Sequence, residues 1–301
     1  MLALNHLHLY NWLPIAERGR AHGVLFSGSR IGAALAFPLL VWMLAEWKWR
    51  MSFVILGAVG VVWAVYWLLW FRDHPPAPLP PEASGGGDPL SLREVFRKPA
   101  FLAAMVQYFA GNFTFFLCLS WMLPYLKKQY QLTDSQAAAY SMAPLLFGAT
   151  SQWITGFLVD RLYRSRLRSW SRRLPAMIGF VLAACGVLAA GWMKEPLEAV
   201  ICFTLATFGA EMTISPSWSY CADIAGKNTG SVSAAMNMVG NIGSFISANA
   251  FPYLYESTGS AVAYFSVAAA LNVISVGCWS GMRSLAAHCG KEGQPALSQA
   301  S

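Results

Sequence analysis

Two ionisable residues lie in stretches whose other residues are small or apolar. Arg30 sits within "FSGSRIGAALAFP", residues 26–38, and Glu211 within the apolar run 197–218. Placing an arginine at the centre of a membrane helix costs roughly 2.5–3.5 kcal/mol, so Arg30 must look onto protein or a wet cavity rather than acyl chains. Its planar fork of donors suits capture of a carboxylate or phosphate. A structural reading competes: an arginine paired with a buried acid, or one whose head snorkels to the headgroups. Glu211 shares a helical stripe with Thr204, Thr207, Ser215 and Trp218, spaced at threes and fours. A lone acid on a polar stripe suits a cavity wall, where it is a candidate to take up and release a proton. It serves equally as a partner that locks two helices together.

Other polar faces add candidates for binding a solute. Gln107, Gly111, Thr114, Cys118 and Trp121 align at helical spacing with Asn112 beside them, and Asn237, Asn241 and Ser244 align further on. Amides bind hydroxyls and carboxylates, but they also join helices, especially beside a small pair such as Gly240 and Ser244. Gln152 is a weaker candidate for the same wall.

The elements that position these residues follow from composition. Of 301 residues 56% are hydrophobic and only 12% charged, too apolar for a water-soluble globule and fitted to a lipid bilayer. Eight stretches approach the roughly 20 apolar residues that a helix needs to cross hydrocarbon: 22–44, 51–71, 101–123, 137–159, 174–192, 197–218, 230–250 and 260–282. They are too long for barrel strands, and lipid leaves no partner for open backbone, so an all-α membrane protein is expected.

The net charge of +7 is distributed in a way that points to topology rather than nucleic acid. With the start of the chain in the cytoplasm, one side holds Arg18, Arg20, Arg72, Arg93, Arg97, Lys98, the six arginines from Arg161 to Arg173, Lys227, Arg283 and Lys291. The other holds only Lys48, Arg50, Lys127, Lys128 and Lys194. This bias places both termini in the cytoplasm of a protein of the plasma or inner membrane. The run "RLYRSRLRSWSRR" reads as a topogenic loop, with an RNA or lipid-headgroup patch as the alternative.

The six cysteines are scattered singly, and the pair His6 and His8 lacks a third ligand nearby, so no metal site and no cofactor is expected. A catalytic Ser/His/Asp group and a phosphate loop are equally missing from the motifs, which disfavours an enzyme.

A Pro- and Gly-rich stretch, "RDHPPAPLPPEASGGGDPLSLREVFRKP", separates two spans from six, and its latter part from Asp88 suits a short surface helix. The segment "GSRIGAALAFPLL" from Gly28 also resembles "GNIGSFISANAFPYL" from Gly240, as in a weak internal repeat.

Five stretches, covering nearly the whole chain, resemble the major facilitator superfamily and within it the anion:cation symporter branch of organic-anion permeases. They are "PIAERGRAHG", "WRMSFVILGAVGVVWAVYWLLWFRDHP", "FLCLSWMLPYL", "GFLVDRLYR" and "DIAGKNTGSVSAAMNMVGNIGS". "GFLVDRLYR" is shared across the superfamily; "SWSYCADIAGKNTG" and "MNMVGNIGS" are more particular to the branch.

The resemblance implies eight transmembrane helices of a twelve-helix major facilitator fold, without the first three and most of the fourth. Charged residues of the first and fourth helices, which commonly bind substrate and proton in this branch, then have no counterpart. The implied division is 1–21, a remnant of the fourth helix and a turn; 22–71, two helices of the first half; 72–100, the central linker; 101–282, the six-helix second half; and 283–301, a tail.

The function implied is secondary transport of a small organic anion such as a carboxylate or sugar acid, with a coupling proton or sodium ion, by alternating access. A non-transporting fragment, acting as sensor or assembly partner or left by a decaying gene, is the alternative. Asp160, Arg161 and Arg164 would hold one side shut, or simply anchor the loop. Asp223 would tie a turn or cap the helix that follows it.

Overall fold

The computed structural model describes residues 12–71, 97–225 and 228–282. The surface helix expected after Asp88, the His6–His8 pair and the tail lie outside the described residues.

Among the described residues the chain is helical throughout. Pro14 and a tight turn, Ile15–Glu17, lead into α1, Arg18–Trp70. Its backbone breaks at Lys48, whose φ of 59° lies in the left-handed region, so α1 is two rods joined at the expected loop. "RGRAHG", expected as a polar turn, forms the first turns of this helix.

Pro99 opens α2, Pro99–Phe116, as prolines do at a first helical position. A wider π-helical turn, Leu117–Trp121, carries it into α3, Met122–Tyr130, where left-handed Gln131 ends the rod. Thr133 and Gln136 then form a capping box that starts α4, Asp134–Tyr163. The chain continues through α5, Arg173–Ala190, and α6, Pro196–Met212. After a break at Thr213 come α7, Ile214–Ala225, then α8, Thr229–Thr258, and α9, Val262–Gly281.

Six of these rods are long and apolar enough to cross a membrane: Glu46–Trp70, Pro99–Tyr130, Ala139–Tyr163, Arg168–Ala190, Pro196–Ala225 and Val262–Gly281. The other two expected spans, 22–44 and 230–250, are helical as well. They carry the serines, asparagines and arginine that the function reading singles out.

Helix α4 packs against the first rod of α1 on one side and α6 on the other, α5 lies between α6 and α9, and α2 lies between α8 and α9. Lipid tails are as apolar as leucine, so close packing and small residues hold such helices together. A Cβ added to Gly179 of α5 would stand 2.5 Å from the Gly209 carbonyl oxygen of α6, so the two backbones touch.

One aromatic core, around Tyr108, Phe180, Trp218, Tyr220 and Trp279, fills the bundle near the arginine-rich end. A second, around Phe113, Tyr125, Phe203, Phe251 and Tyr264, fills the end near Lys127 and Lys128. The second rod of α1 stands apart: from Phe53 to Trp70 every side chain but Ile55 is exposed. Such an all-round apolar surface belongs in lipid or against another helix.

Candidate functional site

Arg30 and Glu211, 181 residues apart in sequence, meet inside the bundle. Arg30 Nε donates to Glu211 Oε1 at 2.7 Å. The carboxylate's other oxygen accepts from Gln152 Nε2 of α4 at 2.5 Å, so a single acid joins three helices. The exposures differ: the Arg30 side chain is 19% accessible and Glu211 0%. The guanidinium also lies over the Phe115 ring, 4.0 Å from its centroid, a cation–π contact that ties it to α2.

Gly148 leaves room for the acid, since a Cβ there would stand 3.2 Å from Glu211 Cγ. Gln152 Oε1 is buried with no hydrogen-bond partner among the described residues. A charge pair at this depth is costly to desolvate, and the second donor on Glu211 helps to offset that cost.

A hollow lies among neighbouring residues. A cavity of about 250 Å³ opens between α2, α3, α4 and α6, lined by Phe115, Leu123, Pro144 and Leu145 among others, with Ser120, Ser141 and Thr207 also on its wall. Arg30 and Glu211 are not among its lining residues, but Phe115, the ring under Arg30, and Thr207, one turn from Glu211 on α6, are, so the cavity and the ion pair have neighbours in common. The π-helical turn supplies Cys118, Leu119 and Ser120 to the same wall. Such turns recur at functional sites, because the extra residue reorients the side chains that follow.

Beyond the pair, toward the arginine-rich end, the first rod of α1 is sealed against α4 and α7. His22 Nδ1 lies 3.1 Å from the Ser219 hydroxyl, and Ser215 Oγ donates to the Gly19 carbonyl at 2.9 Å. A Cβ on Gly156 would stand 2.7 Å from that same carbonyl oxygen, so α1 and α4 cross backbone to backbone. At the rim, Asp160 accepts from the amides of Gly19 (3.0 Å) and Arg20 (2.9 Å) and from Arg20 Nε (3.1 Å).

The acid thus satisfies unpaired N–H groups at the start of α1, where the helix dipole also favours negative charge. This explains why the helix begins inside the expected turn. Glu17 accepts from both Arg20 and Arg164, each at 3.1 Å. Asp223 accepts from Arg172 at 3.2 Å and pairs with Arg18 at 3.7 Å.

Of the residues nominated from sequence, Arg30 and Glu211 therefore meet, and Asp160 and Arg164 join one rim cluster, while Arg161 is exposed beside it. The others lie elsewhere. Gln107 is fully buried, donating to the Ala104 carbonyl and accepting from Ser217 and Trp279, which ties α2 to α7 and α9. Thr114 accepts from Asn272 of α9 at 2.8 Å, within the bundle rather than on the cavity. Asn112 donates to the Tyr108 carbonyl and Asn241 to the Asn237 carbonyl, each along its own helix.

Trp121 donates to the Ala248 carbonyl and stacks on Phe251, bordering a separate shallow groove with Lys128 and Glu256. The stripe through Gln107, Thr114 and Trp121 faces α8 and α9. Of that stripe Cys118 reaches the cavity, whose wall is otherwise made on this helix by Phe115 and Leu119, each one residue on and about 100° further round. Sequence reasoning missed Glu17, Arg20 and Phe115, and it named Asp223 without its partners Arg18 and Arg172, although "ERGR" carried a visible signal of alternating charge.

A bundle of helices long and apolar enough to cross a membrane, keeping an ion pair inside it, is the build of an integral membrane protein. The chain belongs to the Major Facilitator Superfamily, whose family profile matches residues 1–248. Among curated relatives it is 29% identical to a probable sulfoacetate transporter of Cupriavidus necator, over 86% of this chain and 64% of the relative. It is 24% identical to the hexuronate transporter of Bacillus subtilis, over 88% of this chain and 65% of the relative. The chain thus spans less than two thirds of the length of these relatives. Among solved structures it resembles the human organic anion transporter MFSD10, with a TM-score of 0.69 at 16% identity over 92% of this chain and 67% of that one, a likeness of fold.

Proposed function

We propose that the protein takes part in secondary active transport of a small organic anion, coupled to protons, by alternating access. The observation that carries this reading is the Arg30–Glu211 pair inside the bundle, with Phe115 and Thr207 shared between its surroundings and the cavity. An anion entering the cavity competes with Glu211 for the guanidinium, and the carboxylate it displaces is left buried and unpaired. Taking up a proton removes that penalty, so anion binding and proton binding favour each other. A proton suits Glu211 better than sodium does: both carboxylate oxygens face N–H donors, whereas a hard cation needs a shell of oxygens. The names of the relatives, transporters of sulfoacetate and hexuronate, support the anion class.

Gating belongs to the rim. On this reading the arginine-rich end faces the cytoplasm, as the positive-inside bias favours, and both termini lie there. The contacts of Asp160, Arg20, Glu17 and Arg164 close that end, with the Gly19–Gly156 crossing beneath them. Opening it requires these charge pairs to part and the first rod of α1 to rock away from α4 and α7.

The test is uptake into proteoliposomes of a panel of labelled organic acids under an imposed inward proton gradient. The expected result is accumulation of at least one acid that collapses when the gradient is dissipated. Accumulation of none would end this reading.

A further inference from the structure

Residues 161–173, from the last turn of α4 to the start of α5, hold six arginines and no acid. Arg164 pairs with Glu17 and Arg172 with Asp223, each acid coming from another part of the chain. Among the described residues no acid pairs with Arg161, Arg166, Arg168 or Arg173. The first three of these are exposed, so the surface here carries positive charge in excess.

The segment is nevertheless ordered. The Ser165 amide donates to the Leu162 carbonyl at 3.1 Å and the Trp170 amide to the Leu167 carbonyl at 2.8 Å, which folds the backbone into two short turns. Aromatic rings hold the cations: Arg168 lies over the Tyr163 ring, 4.4 Å from its centroid, and donates to the hydroxyl of that residue, while Arg173 lies over Trp170 at 4.4 Å. A guanidinium stacked in this way keeps its plane fixed and N–H edges available to an oxyanion.

Position selects the partner. The loop joins Ala139–Tyr163 to Arg168–Ala190, two helices long and apolar enough to cross a membrane, so it meets the bilayer at the depth of the headgroups. Leu167 is 50% exposed and Trp170 41%. Water disfavours both side chains, whereas the interface suits them, tryptophan above all. RNA also takes arginines and stacks on aromatic rings, but it would have to displace the bilayer surface that already lies beside this turn.

We propose that residues 161–173 form a docking site for anionic phospholipid in the leaflet they face. Arg161, Arg166 and Arg168 draw the phosphate, and Leu167 and Trp170 lie among the upper acyl chains. Each arginine close to an acidic surface adds to the attraction, and salt screens it. The site is independent of the solute the protein carries.

The test places the photoreactive residue p-benzoylphenylalanine at position 167 of the full chain, reconstituted in vesicles of phosphatidylglycerol and phosphatidylcholine with identical acyl chains in equal parts. Illumination should yield adducts of phosphatidylglycerol over phosphatidylcholine by at least about fivefold, the preference expected from even one arginine at the surface. Raising the salt should lower that ratio. Arg166→Gln/Arg168→Gln should lower it at least about threefold and leave the phosphatidylcholine adduct unchanged, since both side chains are exposed. Equal adducts of the two lipids, a ratio indifferent to salt, or an unchanged ratio in the double variant overturns the proposal. Absence of any lipid adduct at position 167 sets the loop away from the bilayer and overturns it too. Loss of the phosphatidylglycerol adduct on adding a short RNA at equal phosphate concentration would assign the site to nucleic acid instead.

Discussion

Removing one partner of a buried ion pair is worse than removing both, because the survivor keeps its charge and loses its compensation. Arg30→Ala leaves the buried Glu211 carboxylate with Gln152 as its only donor among the described residues, at an expected cost of about 3–5 kcal/mol. Thermal unfolding in detergent should show a clear fall in Tm for Arg30→Ala and partial recovery in the double variant Arg30→Ala/Glu211→Gln. Equal Tm values for single and double variants would mean that the two side chains are not energetically coupled. Arg30→Lys should keep the charge but bind the anion more weakly, since a point charge replaces a planar fork of donors.

Among the elements, the first rod of α1 against α4 is where a conformational change has to act. The crossing is set by glycines, so bulk there has a calculable consequence: the first carbon of a side chain at position 156 already falls 2.7 Å from the Gly19 carbonyl oxygen. Gly156→Leu should therefore hold the arginine-rich end apart. A cysteine placed at Ser215, buried beneath that carbonyl, should be alkylated at least about tenfold faster in the leucine variant than in its parent, the equivalent of roughly 1.4 kcal/mol in the opening equilibrium. Equal rates would show that the crossing does not control access.

The helices themselves were legible because apolar run length is a strong signal, and the loop at Lys48 followed from the break in that run at Lys48 and Arg50. The start of α1 was not, because the group that satisfies its first amides, Asp160, is 140 residues away. The same limit explains the candidate site. Arg30 and Glu211 stood out because charge is costly in lipid wherever it faces. Gln107 and Thr114 were nominated by spacing alone, and spacing defines a stripe without saying which neighbour that stripe meets.

At the scale of the whole molecule, sidedness and coupling are the properties that matter. With the arginine-rich end in the cytoplasm, a cysteine at exposed Ser165 should react with a membrane-impermeant thiol reagent in inverted vesicles and stay protected in right-side-out ones. The reverse pattern would invert the topology.

Coupling is tested most directly by comparing the parent protein with Glu211→Gln in proteoliposomes, measuring gradient-driven anion accumulation and gradient-free exchange on the same preparations. The glutamine variant should retain exchange, because Arg30 is still present to bind the anion, and should lose accumulation, because no proton is taken up with it. Loss of both in equal measure, or retention of both, would contradict the claim that this pair links the anion to the proton.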